Sequence, residues 1–217
     1  MNQDPHRDGA LLRYGAPLEK AAGSVILLHG RGGSAEDILS LAREIYLPEL
    51  TYLAPQAAMH SWYPNSFLAP IEQNQPWLSS ALRRVESVLD LTSQVGIPAN
   101  RIVIAGFSQG ACLATEFVAS HPKRYGGLIA FTGGLIGPPG ADLKQEGSLD
   151  GMPAFLGSGD PDPHVPWHRV EESAHVLHRM GAITTLRQYP GRGHTISHEE
   201  LELAGGLIQQ VFKHKEE

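Results

Sequence analysis

The sequence predicts an α/β fold: a mostly parallel, doubly wound sheet with helices on both faces. Three observations carry that prediction. Strand-like and helix-like stretches alternate along the 217 residues, the pattern of βαβ units rather than of hairpins. Ser24-Val25-Ile26-Leu27-Leu28 is almost continuously apolar, as a strand covered on both faces must be. The β-branched run Arg101-Ile102-Val103-Ile104-Ala105 feeds Gly106-Phe107-Ser108-Gln109-Gly110, with a helix-forming stretch at 111–120 immediately behind it. A chain of this length is expected to form a single domain, 1–217, with residues 1–10 as a flexible polar tail.

The elements follow in order. Residues 11–14 are patterned for an edge strand. Ser34 is the expected N-cap of a helix reaching about Tyr46, with Ile38, Leu41, Ala42 and Ile45 on one face. A short strand is predicted at 51–54. Residues 55–75 are irregular and rich in Pro, Asn and aromatics, and loops of that length are usually functional or disordered. Pro76 opens the most regular helix, whose Leu78, Leu82, Val85, Leu89 and Val95 form an apolar stripe ended by Gly96 and Pro98. Beyond Ser108 come strands near 127–132 and at 153–156, a helix at 167–180 stopped by Gly181, a last strand at 183–189 and a helix from Ser197. The stretches between strand ends are too short for a large inserted lid.

Composition removes several classes of function. A formal net charge of −6 offers no basic footprint for nucleic acid or an anionic membrane surface. No apolar run approaches the ~20 residues that a bilayer-spanning helix needs, so no membrane insertion is expected. Residues 1–8 are polar and charged and lack the apolar centre of a signal peptide. Cys112 is the only cysteine, which rules out an internal disulfide and favours the reducing cytoplasm. Its place in the apolar helix behind Ser108 reads as inert packing.

A serine hydroxyl is a poor nucleophile unless it is exposed, oriented and next to a base. The two glycines around Ser108 permit a cramped strand-to-helix turn that lifts the side chain above the sheet edge. Acyl transfer also needs a base, an acid to hold that base, and donors for the oxyanion. In open α/β sheets these collect at the carboxyl ends of strands. Three other strand ends carry suitable residues: His29-Gly30-Arg31-Gly32-Gly33, Asp160-Pro161-Asp162-Pro163-His164-Val165-Pro166, and Gly191-Arg192-Gly193-His194. The chain order Ser, Asp, His is that of the α/β-hydrolase fold and differs from the two best-known serine protease orders.

From about residue 23 to its end the chain resembles the phospholipase/carboxylesterase group of α/β-hydrolases, which includes acyl-protein thioesterases and bacterial carboxylesterases. The resemblance rests on His29-Gly30-x-Gly32, the lead-in Gly96-Ile97-Pro98-Ala99-Asn100-Arg101-Ile102, Gly106-Phe107-Ser108-Gln109-Gly110, Asp162-Pro163-x-Val165-Pro166 and Gly193-His194. It implies hydrolysis of small to medium carboxyl esters or thioesters without a cofactor, and some members form homodimers. Carried over by position, Ser108 is the nucleophile, His194 the general base and then acid, and Asp162 the group that orients the histidine. The family places the acid directly before Pro-x-Val-Pro, which selects Asp162 over Asp160. The main-chain N–H groups of Arg31 and Gln109 would form the oxyanion hole. Members often carry an aliphatic residue where this chain has Arg31, whose side chain is expected in solvent or, alternatively, at an anionic substrate.

Other residues invite competing readings. His164/His168, His175/His178 and His194/His198 have helix-like spacings, yet H-E-x-x-H is absent and no carboxylate completes a ligand set, so no metal is expected. His29 opens the oxyanion turn and is expected to hydrogen-bond it. His29, Trp62 and Tyr63 are candidate pocket residues, while the aromatics of the long loop, Phe67 above all, would equally serve to pin that loop. Two other functions remain open: a hydrolase of ring-derived esters with the same three residues, and a non-catalytic binding protein of the same fold, which would be expected to lack one of them.

Overall fold

In the computed structural model, which describes residues 4–213, seven strands form one sheet in the order β1-β3-β2-β4-β5-β6-β7. They are β1 (Leu11–Gly15), β2 (Gly23–Leu28), β3 (Leu50–Pro55), β4 (Ile102–Phe107), β5 (Gly127–Phe131), β6 (Pro153–Asp160) and β7 (Ile183–Pro190). All neighbours run parallel except β1, which pairs antiparallel with β3. The fold is that of the α/β-hydrolases, and the described residues include no separate large lid. The chain winds outward from β2 to β3 and then returns to place β4 on the other side of β2. That reversal leaves a crevice between the carboxyl ends of two adjacent strands, where open α/β sheets bind ligands. Here the adjacent ends are Leu28 and Gly106, which share a register position.

The continuous apolar run of β2 is explained by its two faces. Ile26 and Leu28 pack with helices α2 (Trp77–Gln94), α3 (Gln109–Ser120) and α4 (Trp167–Arg179), whereas Val25 and Leu27 face α1 (Ala35–Ser40) and α5 (His198–Lys213). Every residue of β2 is buried. Each such Leu or Ile removed from water contributes about 1.5–3 kcal/mol, which the alternating faces share between two cores.

Helix α1 is shorter than the periodicity suggests. Ser34 caps it with a full capping box through Asp37, but the last turn tightens to a 3-10 turn at Leu41–Arg43. Leu41 and Ile45 still face the core side, because a 3-10 turn keeps nearly the same direction over so few residues. Helix α2 ends at Val95 because Gly96, at φ +88°, takes the left-handed conformation; the Ile97 N–H then bonds the Thr92 carbonyl.

Of the expected flexible tail, residues 1–3 lie outside the described residues, and the rest is docked from Asp4 onward. His6 is fully buried, its ring lying between Trp62 and Trp77 at centroid distances of 5.5 and 5.4 Å. Its main-chain N–H donates to Ser80 Oγ (3.0 Å), and Asp4 accepts from the same hydroxyl. The Ala58 N–H donates to His6 Nδ1 (3.0 Å), so the ring proton resides on Nε2 and points at the Trp62 carbonyl (2.9 Å). Composition alone missed this because one buried imidazole with both nitrogens satisfied outweighs a polar neighbourhood.

Burial holds the pKa of His6, and likewise of His29, below the ordinary histidine value, since the charged form loses its water. The unfolded chain therefore binds protons that the folded chain refuses as pH falls below about 6.5. Stability is expected to be complete above that value and to decline below it. Replacing His6 with glutamine should flatten the fall in melting temperature between pH 7.5 and pH 5.5; an unchanged slope would show that His6 does not couple to folding.

Candidate active site

Ser108 stands between β4 and α3 at φ 54°, ψ −117°, a conformation that costs a non-glycine residue about 1–3 kcal/mol. The turn is tight enough that its two glycines cannot be replaced. A Cβ on Gly106 would lie 2.4 Å from the Gly110 carbonyl carbon, and one on Gly110 would lie 2.1 Å from the Leu28 carbonyl oxygen. The Ser108 N–H is held by the Phe131 carbonyl at 2.9 Å. A backbone hydrogen bond from the end of β5 thus holds the strained residue.

Two further strand ends meet it. Ser108 Oγ lies 2.8 Å from His194 Nε2, and His194 Nδ1 lies 2.8 Å from Asp162 Oδ2. With a carboxylate at Nδ1, the imidazole proton sits there and Nε2 is free to accept from the serine. The Asp162 carboxylate is fully buried. Burial pushes its pKa up, but the N–H groups of Val165 (2.9 Å) and His164 (2.8 Å) and the contact with His194 outweigh burial and leave it below the ordinary aspartate value. Asp160 bonds Gln188 at 2.8 Å instead. The acid loop therefore turns its second aspartate, not its first, toward the histidine.

The turn after β2 lies alongside. A Cβ on Gly30 would stand at ordinary contact distance, 3.5 Å, from Ser108 Cβ, so the two turns lie side by side. Gln109, as the first residue of α3, has a main-chain N–H with no acceptor inside its own helix. Arg31 and Gln109 both border the cleft over Ser108, which has a volume of about 600 Å³.

Their side chains have a use that sequence reasoning missed. The Arg31 side chain is exposed but is held by the protein rather than free in solvent. Its guanidinium bonds Ser61 Oγ (3.1 Å), the Pro64 carbonyl (2.8 Å) and the Asn65 carbonyl (2.5 Å). Gln109 accepts from the Trp62 N–H (2.9 Å) and donates to the Tyr63 carbonyl (2.8 Å). The two residues flanking Ser108 therefore strap the long loop across the cleft.

The pocket candidates divide. Tyr63 borders the cleft, as does Phe67, for which the sequence favoured packing. Trp62 does not: it is fully buried, and its indole N–H donates to the His29 carbonyl at 2.8 Å. His29 is buried too, accepting from the Ala57 N–H (3.1 Å) and presenting Nδ1–H to the Gly30 carbonyl (2.8 Å). Both support the turn from beneath rather than walling the cleft. Cys112 also borders the cleft, but burial pushes its thiol up to about 12, which keeps it protonated and unreactive. Among the described residues, no group of three or more His, Cys, Asp or Glu side chains could hold a metal ion.

The loop that carries His194 hangs on a partner with no sequence motif. Glu200, buried at the start of α5, binds the Arg192 guanidinium and accepts from the Ser197 N–H at 2.8 Å. Gly159 is needed here, since a Cβ there would stand 2.0 Å from the Arg192 carbonyl oxygen. Breaking such a buried pair from one side costs about 3–5 kcal/mol, because the other charge remains without compensation. Glu200→Ala should show that loss in urea unfolding and also slow turnover by loosening His194. Arg192→Leu combined with Glu200→Leu should recover most of the stability; no recovery would mean that the pair matters for packing alone.

The chain has relatives among known proteins. The family model described as phospholipase/carboxylesterase matches residues 14–211. A crystal structure of a phospholipase/carboxylesterase from Dyadobacter fermentans superposes with a TM-score of 0.89 at 47% identity, covering 93% of this chain and 96% of that one. An acyl-protein thioesterase 1 of Cryptococcus neoformans is 25% identical across 91% of this chain and 96% of its own length. A probable carboxylesterase of Oryza sativa subsp. japonica is 29% identical across 93% and 84% respectively. The chain therefore belongs to the phospholipase/carboxylesterase family of the α/β-hydrolases.

Proposed function

We propose that the protein is a serine hydrolase that cleaves small to medium carboxyl esters or thioesters through an acyl-enzyme on Ser108. The observation that carries this reading is the continuous relay from Ser108 Oγ to His194 Nε2 and from His194 Nδ1 to Asp162, both at 2.8 Å. Ser108 Oγ attacks the acyl carbon while its proton passes to Nε2. The negative charge gathers on the carbonyl oxygen, where the N–H groups of Gln109 and Arg31 receive it. The bond to the alcohol or thiol then breaks, its electron pair stays on the departing oxygen or sulfur, and Nε2 returns the proton to it. Water repeats the sequence on the acyl-enzyme, releasing the acid and restoring Ser108.

No described helix is long and apolar enough to cross a membrane. The lone Cys112 supports a reducing, cytoplasmic setting for the activity. A fluorophosphonate probe tests the reading directly. It should label the protein stoichiometrically and leave Ser108→Ala unlabelled; an unlabelled wild type would reduce the site to a binding module.

The acyl series follows from the cleft. Each methylene buried gains about 0.8 kcal/mol only while room remains. Turnover of p-nitrophenyl esters should rise with acyl length and then fall. A steady climb to long chains with a jump at the critical micelle concentration would instead mark an interfacial lipase.

A further inference from the structure

A second, smaller cavity of about 260 Å³ lies on the far side of the oxyanion turn from the long loop. Ile38 and Leu41 from the α1 segment, Phe107 at the end of β4, and Ile196 beyond His194 form its apolar walls. Gly30, Arg31 and Phe107 border both this groove and the cleft over Ser108, so the two spaces adjoin next to the residue before the nucleophile. Leu41, Phe107 and Ile196 are half-buried, leaving apolar surface within reach of a ligand. The polar groups nearby are already engaged. Asp37 at the rim accepts from the Ser34 N–H, and both ring nitrogens of His29 have partners.

Resting on the serine-hydrolase reading, we infer that this groove receives the leaving group, and that the preferred substrates are esters of neutral apolar alcohols. The stereochemistry of acyl transfer decides the assignment. The tetrahedral carbon carries Ser108 Oγ, the oxyanion, the acyl chain and the departing oxygen. The oxyanion points at the Gln109 and Arg31 N–H groups, and the acyl chain takes the larger cleft beside Tyr63 and Phe67. The departing oxygen must lie toward His194 Nε2, which hands it the proton as the carbon–oxygen bond breaks. Phe107 contacts the His194 ring at 5.0 Å, and Ile196 follows two residues after it, so the alcohol's carbon chain emerges toward these walls.

Size and lining define the class. A dry cavity of ~150 Å³ already holds a benzene molecule. The 260 Å³ groove therefore admits a butyl, phenyl or benzyl group. Asp37 and Arg31 border the groove with opposite charges, so the lining selects for neither sign and the apolar walls set the class.

The test varies the alcohol at constant acid. Simple primary alcohols leave with similar ease, so kcat/KM for methyl through butyl butyrate reports contact with the groove. The ratio should rise roughly threefold to fourfold per methylene until the groove fills. In Ile196→Asn and in Leu41→Trp, which fills the space, that ratio should collapse toward one. The ratio of methyl butyrate to methyl acetate should hold in both. A flat alcohol series in the wild type overturns the inference, as does a variant that changes the acyl ratio and spares the alcohol ratio. Fluorophosphonate labelling of each variant separates the two levels. Labelled protein with a flat alcohol series sinks only the groove, whereas unlabelled wild type sinks the hydrolase reading as well.

Discussion

Ser108→Ala is expected to lower ester turnover by roughly 10⁴–10⁶-fold while leaving the protein folded, and His194→Ala should do nearly the same. The two losses should not add, because without either residue the other has no task in forming the acyl-enzyme. Residual rate above the background would come from the main-chain donors and from binding alone. Alanine at 108 would also relieve part of the turn's contact with His194 while retaining its positive φ of 54°. Melting temperature should therefore change little. The measurement is single-turnover kinetics on an activated ester beside thermal unfolding of the same preparation. A Ser108→Ala protein with wild-type turnover would end the serine mechanism.

Asp162→Asn is the second large effect, at about 10⁴-fold in kcat, since an amide no longer demands the Nδ1–H tautomer that frees Nε2 for the serine. Asp160→Asn should stay near wild type, because Asp160 bonds Gln188. The reverse outcome would reassign the acid. Stability should move with Asp162 as well. Its folded pKa lies below the ordinary value, so its contribution is complete above the unfolded pKa of about 3.9 and is lost as pH falls through the folded value. The substitution should thus cost stability at pH 7 and cost progressively less in acid. Comparing urea midpoints of wild type and variant at pH 7 and pH 3 checks the sign.

Much of this architecture was legible in the amino-acid order because it is local. The β4–turn–α3 unit could be read from Ile102 to Ser120, since a buried strand, two glycines around a serine and an apolar helix restrict one another over a few residues. Ser34 announced α1 as its N-cap, although the last turn tightens to a 3-10 turn. The order of Ser108, Asp162 and His194 and their places at strand ends were likewise visible. Parallel strands must bring their carboxyl ends to one edge.

What sequence could not decide depends on side chains meeting across long separations. His6 bonds Trp62, Arg31 bonds Asn65, and Glu200 binds Arg192. None of these pairs has a periodicity or spacing of its own. An arginine in a glycine-rich turn looks solvated until the fold brings three acceptors of the 61–65 loop within reach. A histidine in a polar N-terminal segment looks mobile until Trp62 and Trp77 close around it. The sequence by itself determined the sheet, the elbow and the chemical types at each strand end, because these follow from backbone sterics and hydrophobic periodicity. Only the tertiary structure decided what braces the turn after β2, and where a second groove opens beside Phe107, because those depend on distances that many packed residues set together.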